Sequence, residues 1–97
     1  MIIATDKKTL IFRFDEEMNS KAVEEVHDEI MEQIEVHDPN SIIFDMNKVK
    51  LISSAFIRLC IASIKEVKFH NLKIINASPF VKRIFNVAGL DKVFTII

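Results

Sequence analysis

The spacing of apolar residues along this chain switches between a step of two and a step of three to four, dividing it into short strands and three helices. Ile2 to Ala4 and Leu10 to Phe14 are apolar runs separated by Thr5, Asp6, Lys7, Lys8 and Thr9, a turn-like composition, and together they read as a hairpin. In the second run Leu10, Phe12 and Phe14 alternate with Ile11 and Arg13, which predicts a strand with one buried face. Beyond Asp15, Glu16 and Glu17 the step lengthens, and Val23, Val26, Ile30 and Ile34 predict a first helix. Asn19 or Ser20 caps its start by accepting a backbone N–H. His37, Asp38, Pro39 and Asn40 end it, because proline disfavours helical geometry in the residue before it.

Ser41 to Phe44 places Ile42, Ile43 and Phe44 in continuous apolar sequence, as in a central strand covered on both faces. Asp45 to Lys50 then crosses to a second helix, whose inward stripe is Ile57, Cys60, Ile61, Ile64 and Val67; Arg58, Lys65 and Glu66 leave that stripe. Phe56, Leu59 and Ser63 project to one side of it and are expected to be half exposed. Leu72 to Ile75 reads as a further strand. The third helix is the best punctuated, with Ser78 as N-cap, Pro79 at the first helical position, Gly89 where a left-handed residue is wanted, and Val81, Ile84, Phe85 and Ala88 as its buried stripe. Val93 to Ile97 closes the chain as a fifth strand. Strands joined through helices imply parallel neighbours and right-handed crossovers. The predicted fold is α/β: one domain over residues 1–97, a mixed sheet of about five short strands with helices mainly on one face.

Composition adjusts this picture little. A chain of 97 residues, 49% apolar and 28% charged, suits one folded domain with a thin core. The net charge of -1 conceals an uneven distribution: Met1 to Lys48 holds 5 Lys or Arg against 12 Asp or Glu, and Val49 to Ile97 holds 8 against 2. An acidic first-helix face attracted to basic later helices accounts for this; steering of an acidic partner by the basic half is the sharper alternative. The single cysteine, Cys60, lies in an apolar helical pattern and cannot form a disulfide within one chain. The N-terminus lacks the pattern of a signal peptide and no apolar run approaches a membrane span, so a cytoplasmic location without membrane contact is expected.

Candidate chemistry is sparse. His27, His37 and His70 are scattered without metal-ligand spacing, and Glu24, Glu25, Asp28, Glu29, Glu32 and Glu35 read as a solvated helix face. No nucleophile elbow, Walker-type loop or dinucleotide fingerprint occurs, and one glycine is too few for a phosphate-cradling loop. No catalytic residues, metal or cofactor are expected, and the pattern of a nucleic-acid binder is missing. The adjacent serines, Ser53 and Ser54, are the functional clue. One of them caps the second helix, and a phosphate at a helix N-terminus is locally tolerated while adding roughly -1.5 to -2 charges to the surface a partner meets. Phe56 and Leu59 are either core residues or an apolar anchor beside the serines.

Three segments, SIIFDMNKVKLISS, LKIINASPFVKRIF and NVAGLDKVFTI, and their order resemble the STAS domain, the family of bacterial anti-sigma factor antagonists, from about Leu10 to Ile96. The resemblance implies that Asp45 takes the place of a structural strand-end aspartate. It also implies that Ser54, with Ser53 as the alternative, takes the place of a serine phosphorylated by a partner kinase, often the anti-sigma factor itself. The family usually reads D-S-[ST]-G-x-G there; this chain has Ser53 for the aspartate and Phe56 and Arg58 for the glycines. The implied function is non-enzymatic partner switching. The partner would be an anti-sigma factor or related serine kinase with an ATPase-type domain, docking on Ser53, Ser54, Phe56, Arg58 and Leu59. The alternative is a phosphorylation-independent scaffold or sensor of the same fold, binding proteins or a small ligand; oligomeric state is left open.

Overall fold

The structure, a computed structural model, describes residues 1–97. Strand β1 (Ile2–Asp6) turns through Lys7, which adopts a positive φ of 58°, into β2 (Thr9–Arg13), and the two pair antiparallel. β3 (Glu17–Met18) is followed by α1 (Ser20–His37), β4 (Ser41–Asp45), β5 (Leu51–Ile52), α2 (Ser54–Glu66), a 3-10 turn over Lys68–His70, β6 (Leu72–Ile75), α3 (Pro79–Val87) and β7 (Thr95–Ile96). The main sheet runs β1-β2-β4-β6-β7, parallel at every pairing after the first hairpin, as the helical connections require. Strand β7 is shorter than expected from the sequence, because Val93 and Phe94 are taken up in backbone bonds to Leu90.

Register decides which side chains are inside. Leu10 pairs with Ile42, which pairs in turn with Leu72, and Phe12 pairs with Phe44, which pairs with Ile74, so the buried residues of three neighbouring strands form one continuous apolar face. Ile11, Ile43 and Lys73 point the other way and are half-buried or exposed. This corrects the reading of β4 as covered on both faces: the strand is central in the sheet, but the helices cover only one side. Thr9 and Ser41, register partners at the start of β2 and β4, share a hydroxyl hydrogen bond of 2.9 Å.

Local signals set the helix ends. Asn19 accepts from the Ala22 N–H at 2.9 Å to cap α1, and Asp38, left-handed at φ 43°, ends it by donating its N–H to Ile34. Ser78 accepts from the Val81 N–H, Pro79 opens α3, and Gly89 adopts φ 74° just beyond that helix, as the sequence foretold. Val23, Ile30 and Ile34 bury the inner face of α1 while its six carboxylates face solvent. On α3 only Val81 and Phe85 are buried; Ile84 is half-buried, and Ala88 is exposed because it is already the C-cap. The expected attraction between the acidic and basic halves is realised in one exposed contact, Lys68 Nζ to Asp38 Oδ2 at 3.1 Å.

The second helix presents a different face from the one its sequence suggested. Its buried positions are Phe56, Leu59, Cys60, Ser63 and Ile64, with Ile57 and Ile61 half-buried. α2 packs against α1 as well as against the sheet, so the buried arc shifts toward the side carrying Phe56 and Leu59. Ser63 is tolerated there because its hydroxyl donates to the Leu59 carbonyl one turn back, at 2.7 Å.

Candidate functional site

The start of α2 is held by a two-residue parallel clip that sequence periodicity did not reveal. Glu17 pairs with Leu51 and Met18 with Ile52, and the Lys50 N–H donates to the Glu16 carbonyl at 2.7 Å. Ser53, next in line, is tied to the same segment twice: its N–H and its hydroxyl both donate to the Met18 carbonyl, at 3.1 and 2.9 Å. The Ser53 Oγ also accepts the Phe56 N–H at 3.3 Å, so Ser53 is the helix N-cap and its side chain is engaged as donor and acceptor. Below it the Phe56 ring fixes the first turn to the sheet, edge-on to Phe14 at 5.2 Å and tilted against Phe44 at 6.1 Å.

Ser54, the first residue of α2, is exposed, and the capping bonds belong to its neighbour. One turn further on, Arg58 is exposed as well. It lines an open groove of about 590 Å³ between α1 and α2, shared with Glu24, His27 and Asp28 on one bank and Ala55 and Ala62 on the other. Ser53, Ser54 and Arg58 are therefore brought together at one end of α2. Phe56 and Leu59 offer almost nothing to that surface: at 0% and 1% exposure they belong to the core, Leu59 only flooring the groove, which corrects the expectation that they offer an apolar anchor to a partner. Of the two residues standing at family glycine positions, only Arg58 changes the outside of the molecule.

Asp45 is the last residue of β4. Its carboxylate accepts from the Asn47 N–H and the Asn76 amide, both at 3.0 Å, and from Arg13 Nε at 3.3 Å. Burial works to raise its pKa, but the Asn76, Asn47 and Arg13 donors together outweigh that and hold it below the usual 3.8. Asn76 reaches it from a left-handed backbone, φ 57°, directly after β6. Arg13 and Asn76 escaped the sequence reading, although parallel pairing of β2 with β4 would place Arg13 beside Asp45. Arg13, Asp45, Asn47 and Lys48 border a small cavity of about 130 Å³.

The remaining reactive side chains are dispersed. Cys60 is fully buried, and loss of solvent pushes its thiol pKa well above the ordinary value, so it is a packing residue. His27 lies 3.3 Å from Asp28, and His37 is bonded to Gln33 at 2.9 Å. No three His, Cys, Asp or Glu side chains are grouped to hold a metal ion, and no helix is long and apolar enough to cross a membrane.

A mixed five-stranded sheet with helices on one face, whose second helix opens on an exposed serine, defines a small single-domain α/β architecture. The STAS domain family matches residues 1–97, and the chain belongs to that family. Its fold is similar to the anti-sigma factor antagonist SpoIIAA in its unphosphorylated form, with a TM-score of 0.85 at 20% identity over 99% of this chain and 86% of that one. SpoIIAA of Bacillus in its phosphorylated form matches with a TM-score of 0.75 at 19% identity, covering 99% and 89%. An anti-sigma-factor antagonist domain protein from Planctomyces limnophilus matches with a TM-score of 0.88 at 17% identity, covering 98% and 86%. At these identities the likeness is one of fold. The comparison with curated proteins gives no match.

Proposed function

We propose that this domain is a partner-switching regulator of the anti-sigma factor antagonist type. Its unphosphorylated α2 N-terminus binds an anti-sigma factor or related serine kinase with an ATPase-type domain. The observation that carries this reading is the division of labour between adjacent serines: Ser53 holds the helix, while Ser54 is exposed with a hydroxyl the fold does not use. Ser54 is the acceptor. Its Oγ attacks the γ-phosphorus of kinase-bound ATP, the hydroxyl proton passes to the kinase, and ADP leaves. The new phosphate weakens docking by like-charge repulsion and desolvation, about 1.5 to 3 kcal/mol for a charged group left unpaired, roughly ten- to a hundredfold in affinity. Ser53, Ser54 and Arg58 form the docking surface, with Phe56 and Leu59 supporting it from beneath. Turnover is the work of the partner; this chain supplies the acceptor and the surface.

A second reading is favoured by Ser53 and Arg58 standing where the family has aspartate and glycine: a scaffold of the same fold that binds its partner irrespective of phosphate. Phosphosite mass spectrometry on the protein from its native cell should find phosphate on Ser54. With the bound ATPase-type protein in hand, Ser54→Ala should retain affinity and Ser54→Asp should lose it about tenfold or more. Equal affinity of the two variants, with no phosphate on either serine, would replace switching by scaffolding.

A further inference from the structure

Arg58 is the one cation on the outer surface of α2's first two turns, and it forms no ion pair within the protein. Glu24 and Asp28 line the same groove from α1 without bridging to it. Ser54 and Arg58 are four residues apart on a regular helix, so their side chains lie on one face with Cβ atoms about 5–6 Å apart, and the half-buried alanines on that bank, Ala55 and Ala62, offer no competing charge. The order also matters, because an acidic group four residues N-terminal to a basic one is the better arrangement on a helix.

We propose that Arg58 is the intramolecular counter-ion of phosphorylated Ser54. This rests on the reading of Ser54 as phosphoacceptor and deepens it. A guanidinium offers a planar fork of N–H donors that matches two phosphate oxygens, and its long stem covers one helical turn. Glu24, His27 and Asp28 line the groove that Arg58 borders, and a dianionic phosphate attracts Arg58 more strongly than either carboxylate. Phosphorylation then acts twice on a docking partner: it adds an anion where a hydroxyl was, and it withdraws Arg58 from the contact.

The test needs no kinase. Phosphoserine is installed at position 54 of the full chain during translation, and thermal unfolding is measured for phosphorylated and unphosphorylated protein, each with Arg58 and with Arg58→Gln. Both positions are exposed, so all four proteins should fold. Phosphorylation should raise Tm by about 2–3 °C more with Arg58 present than in Arg58→Gln, the size of one i, i+4 charge pair in a domain of this length. The Arg58 Nε–H resonance should move on phosphorylation, and Arg58→Lys, which keeps charge but loses the fork, should restore only part of the coupling. No coupling together with an unmoved Arg58 resonance would overturn the pairing, whatever the cellular phosphosite experiment reports. A native protein without phosphate on Ser54 would instead remove the regulatory reading.

Discussion

Restoring the family's glycine at Phe56 should unfold the domain or nearly so. Phe56 is 0% exposed and packs edge-on to Phe14 at 5.2 Å and against Phe44 at 6.1 Å, within an aromatic group that also includes Phe12. Truncating a buried phenylalanine to alanine costs about 3–5 kcal/mol, since the transfer energy of the ring is lost and a cavity remains. Glycine inside a helix adds about 1 kcal/mol more. A chain of this length has a total stability of about 5–15 kcal/mol, so Phe56→Gly removes a large part of it. Urea unfolding followed by circular dichroism measures the loss directly. With a slope of about 1–3 kcal/mol per molar urea, Phe56→Ala should lower the midpoint by at least about 1 M, and Phe56→Gly by more. Arg58→Gly, at an exposed position, should cost only about the 1 kcal/mol of helix propensity. A Phe56→Gly protein with an unchanged midpoint would refute the placement of this ring in the core and return Phe56 to the docking surface.

Three further outcomes are expected. Ser53→Ala should lower stability by about 1–2 kcal/mol, because it removes the N-cap and the bond to Met18, whereas Ser54→Ala should stay within about 0.5 kcal/mol; equal effects in thermal unfolding would contradict the assignment of the cap. Asp45 has a folded-state pKa below its unfolded value, so its contribution is fully present above the unfolded value near 3.8 and is lost as pH falls through the folded one; Asp45→Asn should flatten the stability-versus-pH curve in that acidic window, and an unchanged slope would count against the Arg13, Asn47 and Asn76 network. Phe69 is 80% exposed and has a left-handed backbone, φ 60°, so Phe69→Asn should raise Tm by about 2–4 °C by relieving that conformation at little burial cost; a lower Tm would mean that the ring is needed where it is.

What the sequence by itself determined is what neighbours along the chain can enforce. Asn19, Ser78, Pro79 and Gly89 act within one helical turn, so the ends of α1 and α3 were legible from residue type alone. Alternation in Leu10 to Phe14 gave the buried face of β2, and the order of elements gave a mixed, mostly parallel sheet. The pair of serines could be found as well, because capping is local chemistry.

Tertiary structure decided the matters that depend on distant contacts. β3 and β5 are two residues each, too short to show a period, and exist only because Glu17 and Met18 meet Leu51 and Ile52 across more than thirty positions of chain. That meeting supplies the Met18 carbonyl that engages Ser53 and leaves Ser54 outside. Helical spacing is satisfied by Ile57 and Ile61 as readily as by Phe56 and Leu59, and α1 and the sheet, packing on α2 together, chose the second pair. An apolar run such as Ile42 to Phe44 cannot state how many of its faces will be covered, because that depends on where helices encoded elsewhere in the chain come to rest.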